Sequence, residues 1–297
     1  MSAVENRMHV ITGCTAVGKT DYAMDFAGKN NGEIISCDSL LVYKHVDTGT
    51  AKPTEGERRG IKHHCMDLVD PCEKFDVSMF IDFARKAVTS IFSSGKTVVV
   101  VGGPGFYLQS FYNPVVDAIK IPGDVENFAN EIYEAAGLDG IASMLVSAND
   151  GVCPQVDMKN PRRVMAALKR CLASGKTFDE VRMEFDSMNS PFAEYEKSTI
   201  LLERGNGDLE FRIRKRAEKM VTSGLIDEVK FLLSNYESLG DSVKSAIGYR
   251  ETMEWLKNPT AESNLIDEIS RNTMKLVKKQ KTWLRKYIPV DEKIFLP

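Results

Sequence analysis

No run of about 18 consecutive apolar residues occurs in the chain, so no segment is long and apolar enough to cross a bilayer as a helix. The N-terminal Met1-Ser2-Ala3-Val4-Glu5-Asn6-Arg7 lacks an apolar signal core and leads straight into a strand-like run. No secretory signal is therefore expected, and the expected setting is cytoplasmic. The six cysteines, at 14, 37, 65, 72, 153 and 171, include no C-x-x-C pair. That spacing suits reduced thiols rather than a disulfide frame or a zinc site. There is no internal repeat and no low-complexity tract. Neither sign of charge dominates: 39 Lys and Arg against 42 Asp and Glu leave a net charge of −3, which announces no polyanion partner. What remains is an ordinary globular composition, 43% hydrophobic and 27% charged, over 297 residues. That length suits one large domain or a core carrying an inserted subdomain.

Charge is uneven along the chain. Lys159, Arg162, Arg163, Lys169 and Arg170 form a basic run with no acid among them. Arg212, Arg214, Lys215, Arg216 and Lys219 form a second cluster. From Arg271 to Lys286 there are seven basic residues and again no acid. One such run is a solvated helix face; three raise a polyanion partner as a serious reading.

The strongest local signal is Gly13-Cys14-Thr15-Ala16-Val17-Gly18-Lys19-Thr20. It follows a strand-like run, Met8–Ile11, and precedes a helix-like stretch, Asp21–Ala27. Strand, glycine loop and helix are the setting in which G-x-x-x-x-G-K-[ST] binds phosphate. Gly13 and Gly18 let the backbone wrap an anion, Lys19 reaches the outer phosphate, and the Thr20 hydroxyl holds Mg²⁺.

Strands are expected at 33–37, 97–101 and 198–202, and a helix over 76–94 capped by Asp76 or Ser78. The continuous β-branched run Thr97–Val101 reads as a buried parallel strand. Between them, 44–71 reads as loop. From about 122 the pattern turns helical, at 124–136, 139–148, 160–173 and 177–185, and beyond 208 it is helical again, at 208–222, 224–234, 249–257 and 261–286. The fold expected is α/β: a P-loop core with a mainly parallel sheet flanked by helices, plus an inserted all-helical subdomain. The core comprises 1–121 and 196–297, and the insertion 122–195.

P-loop kinases and NTPases carry an acid at the end of a second apolar strand to hold the metal. Here Thr97–Val101 runs into Gly102-Gly103-Pro104 without one. The acid is Asp38 instead, after the strand that follows the P-loop helix. Both positions lie at the carboxyl edge of a parallel sheet, where ligands bind. Asp38 there can hold a metal through water or accept a proton from a nucleophile.

Several segments then occur in order: Asp38-Ser39-Leu40-Leu41-Val42-Tyr43-Lys44, Asp47 to Pro53, His63-His64 with Asp67, Gly102-Gly103-Pro104-Gly105-Phe106-Tyr107, Asn160-Pro161-Arg162-Arg163-Val164, Arg212-Ile213, Ala246-Ile247-Gly248-Tyr249 and Lys279-Gln280-Lys281-Thr282-Trp283-Leu284-Arg285. Together they resemble the tRNA isopentenyltransferase (tRNA dimethylallyltransferase) family over nearly the whole chain. The resemblance implies transfer of a dimethylallyl group from dimethylallyl diphosphate to N6 of the adenosine next to the anticodon, with diphosphate released. Asp38 would be the general base, and Lys19 and Arg212 would neutralise the leaving diphosphate with Mg²⁺ held at Thr20. Gly13, Thr15, Ala16, Gly18, Lys19, Thr20, Gly103 and Arg212 would bind diphosphate. Ser39, Leu41, Tyr43, Arg162, Arg163, Lys278, Lys279, Gln280 and Arg285 would meet the tRNA anticodon stem-loop. Tyr43, Phe106 and Tyr107 would stack on the base, enclose the prenyl tail or serve only as core. The histidines would be structural or RNA-facing. A monomer is expected.

Two departures bear on activity. Pro104 stands where the family pattern Gly-Gly-Thr-Gly-Leu-Tyr has threonine, and it supplies neither hydroxyl nor N–H. Ala166 replaces an arginine expected in the inserted helix. Prenyl transfer to free adenylate, and a tRNA-binding relative with weak catalysis, stand as alternatives; a nucleotide kinase ranks last.

Overall fold

The computed structural model describes residues 6–297. Residues 1–5, part of the stretch read for a secretory signal, lie outside them. By its contacts the chain divides into two compact units, one ending at Asn113 and resuming over Pro191–Pro297, the other Pro114–Ser190. The second unit thus starts eight residues before, and ends five residues before, the insertion expected at 122–195.

The first unit holds a six-stranded sheet of β1 (Arg7–Thr12), β2 (Gly32–Cys37), β3 (His63–His64), β4 (Thr97–Gly102), β5 (Glu196–Glu203) and β6 (Glu292–Phe295). Their order is β3-β2-β4-β1-β5-β6, and every pairing is parallel. The β-branched strands take the middle: Val98, Val99 and Val100 of β4 and Val10 and Ile11 of β1 are fully buried. Around the sheet lie α1 (Lys19–Lys29), α2 (Val77–Ser93), the short α3 (Phe106–Gln109), and, after the second unit, α7 (Asn206–Thr222), α8 (Leu225–Asn235), α9 (Asp241–Ser245), α10 (Tyr249–Lys257) and α11 (Glu262–Tyr287). Of the two caps expected for α2, Asp76 is used: its carboxylate accepts the Met79 N–H at 3.0 Å.

Four elements were not foreseen. The edge strand β3 falls in the stretch expected to be loop, and α3, β6 and α9 were not assigned at all. Each is short or solvated, so hydrophobic periodicity carries little of it. The edge strand β6 is pinned by Asp291, whose carboxylate accepts the Thr199 N–H at 2.7 Å. The histidines of β3 are half-buried and have partners within the fold. His64 Nε2 lies 2.6 Å from the buried Glu33 carboxylate, and His63 Nδ1 lies 2.9 Å from the Ile61 carbonyl.

The second unit has no strand among the described residues. It packs α4 (Gly123–Ser147), α5 (Pro161–Ser174) and α6 (Phe178–Asp186) around Ala129, Ile141, Leu145, Val164 and Leu168. Gly137, at φ 59°, breaks α4 into the two segments read from the sequence. Asn160 caps α5 through the Arg162 and Arg163 N–H groups, Pro161 starts it, and Gly175 at φ 68° ends it. Thr177 and Glu180 form a capping box on α6.

No helix among the described residues is long and apolar enough to cross a membrane. All six cysteines are free thiols.

Candidate functional site

The carboxyl ends of β1, β2, β4 and β5 converge because the strands are parallel and adjacent. After β1 comes the phosphate loop. Gly13 leaves no room for a side chain, since a Cβ there would sit 2.7 Å from the Leu202 carbonyl oxygen and 2.9 Å from Val17 Cγ1. Gly18 starts α1 at φ 107°, in the left-handed region where glycine is at ease, and no side chain caps the helix. The first-turn N–H groups of α1 therefore remain for an anion. Two arginines hold the loop's carbonyls: Arg212 Nε donates to Ala16 O and Arg204 Nε to Val17 O, each at 2.9 Å.

Lys19 folds back on the loop, donating from Nζ to Gly13 O at 3.0 Å and Cys14 O at 2.9 Å. Burial lowers its pKa to about 8, a shift that Arg216 reinforces and that Cys14 and Asp38 oppose. An anion in the loop would restore the charged form.

Asp38, exposed after β2, accepts the Leu40 N–H at 2.9 Å and so turns the chain at the strand end. It lies where two cavities meet. The phosphate-loop cavity, about 650 Å³, is lined by Thr15, Ala16, Gly18, Lys19, Thr20, Leu41, Gly103, Arg212 and Arg216 as well as Asp38. The other, the aromatic cavity of about 580 Å³, also contains Asp38, Thr15, Gly103 and Arg216, and adds Ser39, Pro104, Phe106, Tyr107, Ile247, Arg250 and Gln280. A carboxylate and a guanidinium thus face both an anion site and a partly apolar chamber.

Most of the residues expected to bind diphosphate therefore line one cavity, and Gly13, the first residue of the loop, does not. The residues expected to meet RNA scatter. Ser39 and Gln280 line the aromatic cavity, and Leu41 lines the phosphate-loop cavity. The contact expected of Tyr43 is corrected. Tyr43 is 1% exposed, its backbone bridges to Val69, and its carbonyl takes the buried Lys52 ammonium at 2.7 Å. The adjacent Tyr107, stacked on Phe80 at 4.4 Å, has its hydroxyl pKa raised, chiefly by burial. Phe106, by contrast, is 66% exposed.

The basic clusters also separate. In the second unit Lys169 pairs with Glu126 at 2.9 Å, Arg170 pairs with Asp117, and Arg163 lies 3.5 Å from Asp157. Among the described residues Arg162 forms no ion pair. On α7, Arg214 and Lys215 are paired to acids. On α11, Lys278, Lys279, Arg285 and Lys286 are exposed and have no acidic partner among the described residues. An unneutralised cationic face survives there, and it is the feature that suits a polyanion.

Sequence reasoning missed Arg216 as a site residue. It follows Arg212 by four positions, so both lie on one face of α7. Burial lowers its pKa, against the opposing charge of Asp38, and its Nη2 donates to Thr50 O at 2.8 Å. It also missed Glu228 on α8. That carboxylate accepts Thr48 N–H at 2.7 Å, Gly49 N–H at 3.3 Å and the Tyr249 hydroxyl, fixing the loop that carries Thr50.

Comparison with known proteins gives a consistent picture. The IPP transferase family model matches residues 41–287, and the isopentenyl transferase model matches residues 6–70. A tRNA dimethylallyltransferase of Opitutus terrae is 40% identical over 288 residues, covering 97% of this chain and 92% of its own. The crystal structure of a tRNA isopentenylpyrophosphate transferase from Bacillus halodurans is 31% identical, with a TM-score of 0.69 over 98% of this chain and 90% of its own. A eukaryotic dimethylallyltransferase captured acting on tRNA is 28% identical, with a TM-score of 0.81 over 94% of this chain and 69% of its own.

Proposed function

The chain belongs to the IPP transferase family, and from that premise we infer that it is a tRNA dimethylallyltransferase. It transfers the dimethylallyl group of dimethylallyl diphosphate to N6 of the adenosine adjacent to the anticodon. One observation carries the assignment of roles: Asp38 borders both the anion-binding cavity and the aromatic one.

In the proposed reaction the diphosphate lies in the P-loop, held by Gly13, Thr15, Ala16, Gly18, Lys19, Thr20, Gly103 and Arg212. The acceptor base is flipped into the aromatic cavity, because an exocyclic amine within a base stack is out of reach. N6 attacks C1 of the dimethylallyl group, the C1–O bond breaks, and its electron pair leaves with the diphosphate. Lys19, Arg212 and Arg216 oppose the charge that develops on the departing oxygens. Asp38 takes the proton from N6, relieving a weak nucleophile of positive charge.

The donor set fits a magnesium ion carried with the substrate. Thr20 is exposed on the phosphate-loop cavity and offers a hydroxyl oxygen, the hard ligand type that magnesium takes. When bound, Mg²⁺ would neutralise diphosphate oxygens.

Ser39, Leu41, Gln280 and the cationic residues Arg162, Arg163, Lys278, Lys279 and Arg285 are assigned to RNA, with Pro114–Ser190 as the RNA-binding unit. Free thiols and a tRNA substrate support a cytoplasmic setting.

The test is incubation with labelled dimethylallyl diphosphate, Mg²⁺ and either unmodified tRNA or AMP, read by mass spectrometry. Transfer to tRNA and not to AMP is expected. Transfer to AMP alone would reassign the acceptor, and folded protein that transfers to neither would overturn the reading. Asp38→Ala should lower the rate about 10²–10⁴-fold while tRNA binding persists; an unchanged rate would remove Asp38 as base.

A further inference from the structure

The rim of the aromatic cavity presents an aromatic ring to solvent. Phe106 is 66% exposed, yet the helix that carries it is firmly seated. Leu108 is fully buried, Tyr107 stacks on Phe80 at 4.4 Å and 16°, and Phe111 stacks on Phe192 at 4.3 Å. These anchors fix α3 and leave Phe106 outside the packing. An exposed phenyl ring on such a mount has its apolar faces in water and little freedom to hide them.

Its surroundings indicate what would cover it. The same cavity is lined by Asp38, by the inner Tyr107 and by Arg250, whose side chain is about half exposed. Arg250 is itself held by the buried carboxylate of Glu251, which also accepts the Gly248 N–H at 2.8 Å and Asn272 Nδ2 at 2.8 Å. An anchored ring and an anchored guanidinium thus line one cavity. That pair matches one nucleotide, with the ring for the base and the cation for its phosphate.

The inference rests on the proposed tRNA acceptor. Withdrawing one adenine from its stack leaves a neighbouring base with an exposed face. The geometry points to Phe106 as the platform on which that neighbour, a base flanking the acceptor adenosine, stacks while Arg250 contacts the intervening phosphate. Phe106 is too exposed to be the inner wall against the acceptor itself; Tyr107 occupies that place. Stacking is tolerant of base identity, so Phe106 governs how well a loop is held open rather than which base is read.

The experiment uses anticodon stem-loops carrying 2-aminopurine on the 5′ or the 3′ side of the acceptor, with wild-type protein and Phe106→Ala, Phe106→Leu and Phe106→Trp. In one of the two stem-loops, the wild-type complex should quench the probe more than the Ala and Leu complexes do, and Trp should restore quenching. The Michaelis constant for RNA should rise on the order of ten-fold in Ala and Leu, with kcat moving far less. Making the flanking residue abasic should remove the difference between Phe106 and Ala. Equal quenching and equal Michaelis constants in all four proteins, with transfer intact, would overturn the stacking role alone. A wild-type protein that neither binds nor modifies any stem-loop would overturn the tRNA reading, and this inference with it. Phe106 is solvent-exposed, so the variants are expected to fold; melting curves check this.

Discussion

Gln280 accepts a hydrogen bond from the backbone N–H of Thr15 at 2.8 Å. The donor belongs to the phosphate loop. The acceptor lies on α11, between exposed cationic residues that have no acidic partner among the described residues. A Cβ built on Gly103 would lie 3.4 Å from Gln280 Nε2, so the amide sits close between β4's end and the loop. The helix expected to meet RNA therefore also touches the anion site.

An N–H already engaged by Gln280 has to be released before an anion can use it. Gln280→Leu should therefore tighten pyrophosphate binding several-fold, by about the 0.5–1.5 kcal/mol of one net hydrogen bond. Calorimetric titration measures it; unchanged or weaker binding would mean that Gln280 braces the loop and does not compete for it.

Lys19 makes diphosphate binding depend on pH. Its pKa in the empty site is lowered to about 8, chiefly by burial. Affinity should fall as pH rises through that value. A bound anion raises the Lys19 pKa, so binding near pH 8.5 should take up protons, visible as a dependence of the calorimetric heat on buffer ionisation enthalpy. The stability effect has the opposite sense. The folded pKa lies below the unfolded one, so the unfolded chain holds the extra proton, and the empty protein gains stability from Lys19 as pH rises above about 8. Lys19→Arg should abolish the proton uptake.

Gly49→Ala should damage the loop that carries Thr50. A Cβ at Gly49 would come within 2.6 Å of Tyr249 Cζ, and Tyr249 is fully buried and tied to Glu228. Neither can yield freely, so a loss of about 1–3 kcal/mol is expected in denaturant melts. Glu228→Ala should loosen the same loop by stranding the Thr48 and Gly49 N–H groups, and transfer should slow because Arg216 loses the order of its Thr50 acceptor.

Pro104→Thr should increase the rate. Pro104 lines the aromatic cavity beside Asp38 and can offer neither a hydroxyl nor an N–H to a departing oxygen. If a threonine there acts as a preorganised donor, kcat should rise by up to about 10²-fold. No gain would show that Arg212 and Arg216 already supply what the threonine would.

Replacing Lys279 with Ala should weaken RNA binding by a similar factor for every sequence, and should reduce the slope of log affinity against log salt by about one. Lys169→Ala should have much less effect on that slope, because Lys169 is held by Glu126 at 2.9 Å. Salt titrations of stem-loop binding distinguish the two.

Much of this protein is legible in its sequence, because the signals are local. Gly13 to Thr20 between a strand and a helix determines a phosphate loop, since only that order puts N–H groups and a lysine around one point. The β-branched run from Thr97 determines a central strand, and the absence of an acid after it argues against phosphoryl transfer. Asn160, Pro161 and Gly175 mark both ends of α5. Other features depend on residues far apart in the chain, and no window of sequence contains them. Tyr43 and Phe106 are both aromatic residues at a strand's carboxyl edge, yet one is buried and the other faces water. Three basic runs look alike as text, but acids contributed by other elements pair with members of two of them, while α11 keeps an exposed cationic stretch without one. The meeting of Glu228 with Gly49, Arg216 with Thr50 and Gln280 with Thr15 is decided only when the sheet closes and the helices pack. Burial and hydrogen-bond partnership are properties of the folded surroundings, whereas backbone preference is a property of each residue and its neighbours.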